Sequence, residues 1–232
     1  MKIKPVTVTL ILFALFLAYS CACLIVDQSE FEPKSVIAGD ETYYGRTKLG
    51  FSWLNLKGHN ALDYDSTFFK LSEYLGYVTL LAAAALGCFW LYQLIRTKSI
   101  LKVDPCLNAT VATFALLALF YVIFELLHLN YRPVVLEGEL EASYPSTHTL
   151  LGCVVFGCGA MVFHDTIKDK SLARSLSVLC WVLAFVLVLF RTLSGVHWIS
   201  DILGGLLLSA ALLCFAVFMR KLQENAAQKE EK

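Results

Sequence analysis

Apolar positions in this chain gather into six long blocks, residues 6–26, 74–95, 106–124, 149–163, 175–190 and 202–219, separated by polar connections. A bilayer core about 30 Å thick takes roughly 20 helical residues to cross. The first three blocks meet that length by themselves. The last three reach it only by taking in flanking polar residues such as His148, Arg191 and Asp201. The pattern predicts an all-α integral membrane bundle of six transmembrane helices, folded as a single domain over 1–232. An outer segment, 27–70, joins the first two helices.

Composition supports this architecture. Hydrophobic residues make up 58% of the chain and charged residues 16%, against about 25% charged in a soluble domain. The formal net charge is zero, so no basic field points to nucleic acid. The eight cysteines lie in or beside apolar blocks, where cysteine behaves as a small hydrophobe rather than as part of a disulfide framework. CxxC and HExxH patterns are absent from the sequence, and with them the strongest zinc signatures.

Basic residues set the orientation. Lys2 and Lys4, then Arg96, Lys98 and Lys102, then Lys168, Lys170 and Arg174, then Arg220 and Lys221 fall on one side of a six-span bundle. The positive-inside tendency makes that side cytoplasmic, with both termini. The first block can alternatively be a cleaved secretory signal, ending near Ala18-Tyr19-Ser20, which leaves the later orientation unchanged. Small loops favour a prokaryotic plasma membrane. Residues 54–65, with His59, Asp63 and Asp65, are expected to be an ordinary polar loop rather than a metal site or lid.

Ionisable groups at the edge of hydrocarbon are functional candidates by default. Three clusters are predicted on the outer side: Arg132-Pro133; Pro145-Ser146-Thr147-His148; and Arg191 through His197 to Asp201. Two arginines supply planar forks suited to phosphate oxygens. Ser146 and the backbone N–H groups near Thr147 add donors where a helix begins. The four-residue spacing of His197 and Asp201 predicts one helical face, with the carboxylate holding the imidazole. His148, from a different helix, can donate a proton to a leaving alkoxide. Lone His128 and His164 are expected to be packing partners, Glu137, Glu139 and Glu141 a solvated face, and Trp198 the tryptophan closest to lining the site.

Arg132-Pro133, Pro145-Ser-Thr-His148, and Arg191, five residues, His197, three residues, Asp201 together resemble the signature of the type-2 phosphatidic acid phosphatase (PAP2) superfamily, which also includes vanadium haloperoxidases. The resemblance covers the catalytic half, about 106–219. It implies His197 as nucleophile forming a phospho-histidine, Asp201 orienting it, and His148 as acid and then base. Arg132, Ser146, Thr147 and Arg191 would hold the phosphate, with no metal or other cofactor. The implied substrate is a lipid phosphate or diphosphate in the bilayer, of the undecaprenyl diphosphate, phosphatidylglycerophosphate or phosphatidic acid class. Three positions depart from the pattern. Glu125 stands where a lysine is usual, Thr147 replaces a glycine, and Phe190 replaces a serine. Glu125 can pair with an arginine, bind a cationic part of the substrate, or leave its role to Lys57 or Lys70, and so bears on substrate preference. A lipid phosphotransferase would use the same site. A non-catalytic transporter or binding protein is the reading from outside the enzyme class, although transporters place ionisable groups nearer the midplane.

Overall fold

A computed structural model describes residues 4–37, 44–136 and 138–230, apart from the side chains of 229 and 230. Lys2 and Glu137, both used in the reading above, lie outside the described residues. The described residues form seven α-helices: α1 (Pro5–Ile25), α2 (Ser52–Ala61), α3 (Ser66–Thr97), α4 (Pro105–Leu127), α5 (Thr147–Thr166), α6 (Lys170–Leu193) and α7 (Ile199–Glu230). All but α2 are long and apolar enough to cross a membrane, so the described residues contain the six spans expected.

Local chemistry places several helix starts. Asp65 accepts hydrogen bonds from the N–H groups of Thr67 and Phe68, and Asp169 accepts from those of Ser171 and Leu172. Asp104 caps Cys106 N–H, with Pro105 at the first helical position. Each such cap is worth about 1 kcal/mol. Because the caps lie outside the apolar blocks, the helices extend beyond the hydropathy boundaries. α3 begins at Ser66 rather than near Tyr74, and α7 at Ile199 rather than Ile202.

α5 is the central pillar. It has 67% of its most apolar window buried, against 11% for α3 and 17% for α1. Its small residues make this possible, since close helix approach in a membrane depends on Gly, Ala and Ser positions. Gly152 lies directly under Leu187 of α6, and Gly157 under Leu213 of α7. Leu150, Val154 and Cys158 continue into a core with Phe16, Phe124, Leu208 and Leu212. Large apolar side chains instead point outward from α1, α3, α4 and α6, including Leu81, Ile95, Leu126 and Phe185. That inversion suits a lipid surround.

The segment 27–70 is more structured than a polar loop. β1 (Ser29–Phe31) pairs antiparallel with β3 (Thr47–Leu49), and β2 (Lys34–Ser35) pairs parallel with β4 (Val134–Val135). Residues 54–61 belong to α2, which corrects the loop expectation for that stretch. Asp63 accepts a hydrogen bond from the adjacent Tyr64 N–H, Asp65 caps α3, and His59 packs edge-on against Phe31 and Trp198. Burial lowers the His59 pKa from its usual value. No group of three or more potential metal-binding side chains occurs among the described residues.

The far end of the bundle is closed by Arg220, which pairs with Asp165 at 2.8 Å and Glu224 at 2.9 Å. Asn108 there bonds to Gln223, Ile100 and Trp90. His164 is exposed beside Asp165 at 3.0 Å, and His128 is exposed at the end of α4; neither packs inside the bundle.

Candidate active site

The three polar clusters meet at one end of the bundle, where α5 and α7 start and α4 and α6 finish. Their first link is backbone: Ser146 N–H donates to the Asp201 carbonyl at 3.1 Å, joining the starts of α5 and α7. Tyr131 and Ala142 form a short antiparallel bridge, and Arg132 N–H bonds to the Glu141 carbonyl. This returns the chain after α4 to the top of α5. A cis Tyr144–Pro145 bond lies within that return.

The relation between His197 and Asp201 differs from the expected i,i+4 helical pair. α7 begins only at Ile199, so His197 precedes the helix. Asp201 sits in the first turn and accepts Trp198 N–H at 3.0 Å, the carboxylate half of a capping box. The direct His197 Nδ1 to Asp201 Oδ2 distance is 3.7 Å, too long for a hydrogen bond. Ser143 fills the gap. Its hydroxyl donates to Asp201 Oδ2 and lies 3.0 Å from His197 Nδ1. With the serine proton committed to the carboxylate, Oγ accepts from Nδ1–H. That assigns the tautomer and leaves Nε2 with its lone pair. Asn130 donates to Asp201 Oδ1 at 2.9 Å, and Asn55 of α2 bonds Ser200, the neighbour of Asp201.

His197 is nearly fully buried. Burial, then the positive charges of Arg191 and Arg132, then His148, hold its pKa well below the ordinary histidine range. The imidazole is therefore neutral at physiological pH.

Arg191 is completely buried on α6. Its Nη1 donates to Glu73 Oε1 at 2.8 Å and Ser72 Oγ at 3.2 Å, both on α3. Arg132 pairs through Nη2 with Glu141 at 2.9 Å. Glu141 is thus an arginine partner rather than part of a solvated face; Glu139 is exposed. His148 Nε2 stands 3.3 Å from Glu73 Oε1. Gly76, one turn further along α3, makes room for that ring, since a Cβ there would lie 2.9 Å from His148 Cδ2 and Nε2.

Six buried polar atoms of these residues have no protein partner: Arg132 Nε, Arg191 Nε and Nη2, Ser146 Oγ, His148 Nδ1 and His197 Nε2. Buried polar groups are normally paired. Donors and basic nitrogens left unpaired together, on residues from four segments, suit an anionic ligand with several oxygens. Ser146 is the N-cap of α5 yet makes no side-chain cap bond, so its hydroxyl and the first-turn N–H groups, Thr147 included, can both face an anion.

Glu125 pairs with neither arginine, because Glu141 and Glu73 take those places. It is exposed on α4, at the edge of a small crevice shared with Ser143, Tyr144 and Thr147. Lys57 lies over the exposed Trp53 ring, and Lys70 is exposed on α3. Phe190 packs against Phe68 with the two rings tilted. Trp198 is buried against Phe31 and His59, with its indole N–H on the Tyr131 carbonyl, so it anchors the cover rather than lining the site. Sequence reasoning missed Glu73, Ser143, Asn130 and Glu141. Only Ser143, two residues before the Pro-Ser-Thr-His block, offered a positional hint.

An apolar groove of about 490 Å³ runs from the site between α3, α4 and α5. Glu73, Thr147 and His148 stand among its walls, with Leu80, Phe114 and Val155.

Comparison with known proteins bears on the family and the fold. Residues 126–224 match the model of the PAP2 superfamily. The bacitracin transport permease protein BcrC of Bacillus licheniformis is 30% identical over 174 residues, covering 71% of this chain and 76% of that protein. The crystal structure of a transmembrane PAP2-type phosphatidylglycerolphosphate phosphatase from Bacillus subtilis superposes with a TM-score of 0.60. The match covers 97% of this chain and 96% of that one at 18% identity, which establishes the shared fold. The chain therefore belongs to the PAP2 superfamily, as a member with six helices long and apolar enough to span a membrane among its described residues.

Proposed function

We propose that this protein hydrolyses a lipid-linked phosphate or diphosphate by a phospho-histidine route, without a metal ion. The observation that carries the reading is the set of unpartnered buried atoms on Arg132, Ser146, His148, Arg191 and His197 beside an apolar groove. The groove takes the lipid chain and the polar end takes the phosphate.

His197 Nε2 attacks phosphorus in line while Ser143 and Asp201 hold Nδ1 and stabilise the developing imidazolium charge. Arg132 and Arg191, with Ser146 and the backbone at Thr147, hold the equatorial oxygens. Positioning and charge stabilisation supply most of the catalysis in phosphoryl transfer. His148 protonates the departing oxygen, then activates water to release phosphate from His197. The candidate lipids are undecaprenyl diphosphate, phosphatidylglycerophosphate and phosphatidic acid, with Glu125 at the site's edge bearing on the choice among them.

The basic residues at the far end of the bundle support an orientation with both termini cytoplasmic and the site at the outer face of a prokaryotic plasma membrane. Over residues 1–232, the shared packing around α5 supports a single domain, with 27–70 as its outer cover.

Phosphate release from a panel of lipid phosphates and diphosphates, with and without chelator, tests the reaction. Release is expected from at least one lipid and should be unaffected by chelator. Loss with chelator would defeat the metal-free route, and transfer to an alcohol in place of release would make the protein a phosphotransferase. In right-side-out vesicles without detergent, lipid supplied outside should be consumed. Consumption only after permeabilisation would reverse the orientation.

The state of His197 sets the acid side of the pH profile. Neutral imidazole is the nucleophile, and a depressed pKa means that form disappears only when pH falls through the depressed value. The kcat/KM acid limb is therefore expected below 6.5, the unperturbed value. A limb at or above 6.5 would contradict the electrostatic setting.

A further inference from the structure

The two histidines are supported in matching ways. His197 gives Nδ1 to the Ser143–Asp201 pair and keeps Nε2 unpartnered. His148 gives Nε2 to Glu73 and keeps Nδ1 unpartnered and buried. In each ring one nitrogen is fixed by a carboxylate system and the other is free to react. Glu73 is also the acceptor for Arg191, so one carboxylate links the acid-base residue with a phosphate-holding residue.

We propose that Glu73 is the positioning residue for His148, fixing Nε2–H so that Nδ1 carries the proton delivered to the leaving group. The proposal rests on the phosphatase reading above. Without Glu73, His148 would face the cations Arg191 and Arg132 with no carboxylate on its ring, and a protonated imidazole there would be unpaired. With Glu73 as a carboxylate, the imidazolium has its counter-charge. As the P–O bond breaks, the leaving oxygen takes the proton from His148 Nδ1 while His197 Nε2 bonds to phosphorus. In the second half His148 Nδ1 removes a proton from water, the water oxygen bonds to phosphorus, and the phosphorus–Nε2 bond breaks. Glu73 keeps Nε2–H throughout, and no proton is lost or gained overall.

Because Glu73 acts through leaving-group protonation, its effect should depend on the leaving group. An alkyl phosphate needs a proton delivered to its alkoxide, whereas p-nitrophenyl phosphate loses a stabilised phenolate without one. Glu73→Gln, close in shape but unable to balance the imidazolium, should lower kcat/KM about 10²-fold on a short-chain alkyl lipid phosphate, at the lower end of general acid effects. On p-nitrophenyl phosphate the loss should stay within about threefold. His148→Ala should lower turnover on both substrates, because His148 also activates water in the second half common to them, and Glu73→Asp should recover part of the alkyl activity.

Equal losses on both substrates would overturn the proposal and assign Glu73 to holding Arg191. No loss on either would overturn it as well. Retained aryl phosphatase activity in Glu73→Gln reports that the variant has folded. Should the wild-type protein hydrolyse neither phosphate, the phosphatase reading itself would fall and take this one with it.

Discussion

His197→Ala is expected to reduce phosphate release by about 10⁴-fold or more, the scale on which loss of a central catalytic residue acts. The structure explains why no neighbour should substitute. Asp201 is buried and engaged by Ser143, Asn130, Ser200 and Trp198 N–H, while Ser143 has its proton directed to that carboxylate. His148 is turned to Glu73 on the opposite side of the site. His197 Nε2 is the unpartnered nitrogen of a buried, neutral ring whose other nitrogen is held by the Ser143–Asp201 pair. Brief incubation with a radiolabelled lipid phosphate followed by alkaline quench should trap a phosphoenzyme in wild-type protein. The label should be absent from His197→Ala. An alanine variant that retained both turnover and label would mean that a different nucleophile operates.

Arg191→Lys carries the second-largest expected effect, about 10² to 10³-fold in kcat/KM, comparable with removing one donor that stabilises transition-state charge. Charge is kept, but the fork is lost. Arginine uses Nη1 for Glu73 and Ser72 and still presents Nε and Nη2. A lysine has a single nitrogen for both tasks and lacks the planar geometry that matches phosphate. The salt bridge to Glu73 can survive as a point-charge contact, so the variant is expected to fold and its loss to be catalytic. Measured kcat/KM within threefold of wild type would demote Arg191 to an anchor for α3.

The name of the BcrC relative points to transport, and the arrangement of ionisable groups bears on that alternative. The ionisable groups collect at one end of the helices rather than near their middle, and both histidines have ordered partners. Transport needs a passage lined by exchangeable groups. Beyond the site, the central turns of α5 are instead packed into the core through Val154 and Cys158.

Much of the fold was legible because membrane solvation acts on each segment independently. A run of apolar residues must become a helix wherever its neighbours lie, since its backbone groups have no water to bond. The blocks at Arg132, Ser146–His148 and Arg191–Asp201 were legible for a related reason: charged groups at the ends of apolar runs stand out against their surroundings. Glu73 did not stand out. It lies in the first turns of α3, where an interfacial carboxylate is unremarkable, and its partners Arg191 and His148 come from helices formed much later in the chain. Ser143 offered only its place two residues before the Pro145–His148 block, because a serine in a polar connection has no distinguishing pattern until His197 and Asp201 close around it.

The amino-acid sequence by itself determined six spans, their common polar end and the residue types able to hold and attack a phosphate, through local hydropathy and short-range spacing. Tertiary structure alone decided how those residues are partnered. It placed Ser143 between His197 and Asp201, gave Glu141 to Arg132 and set Glu73 between His148 and Arg191. The physical reason is distance. Hydrogen bonds require separations near 3 Å, and only the packing of α3, α6 and α7 around α5 brings these side chains that close.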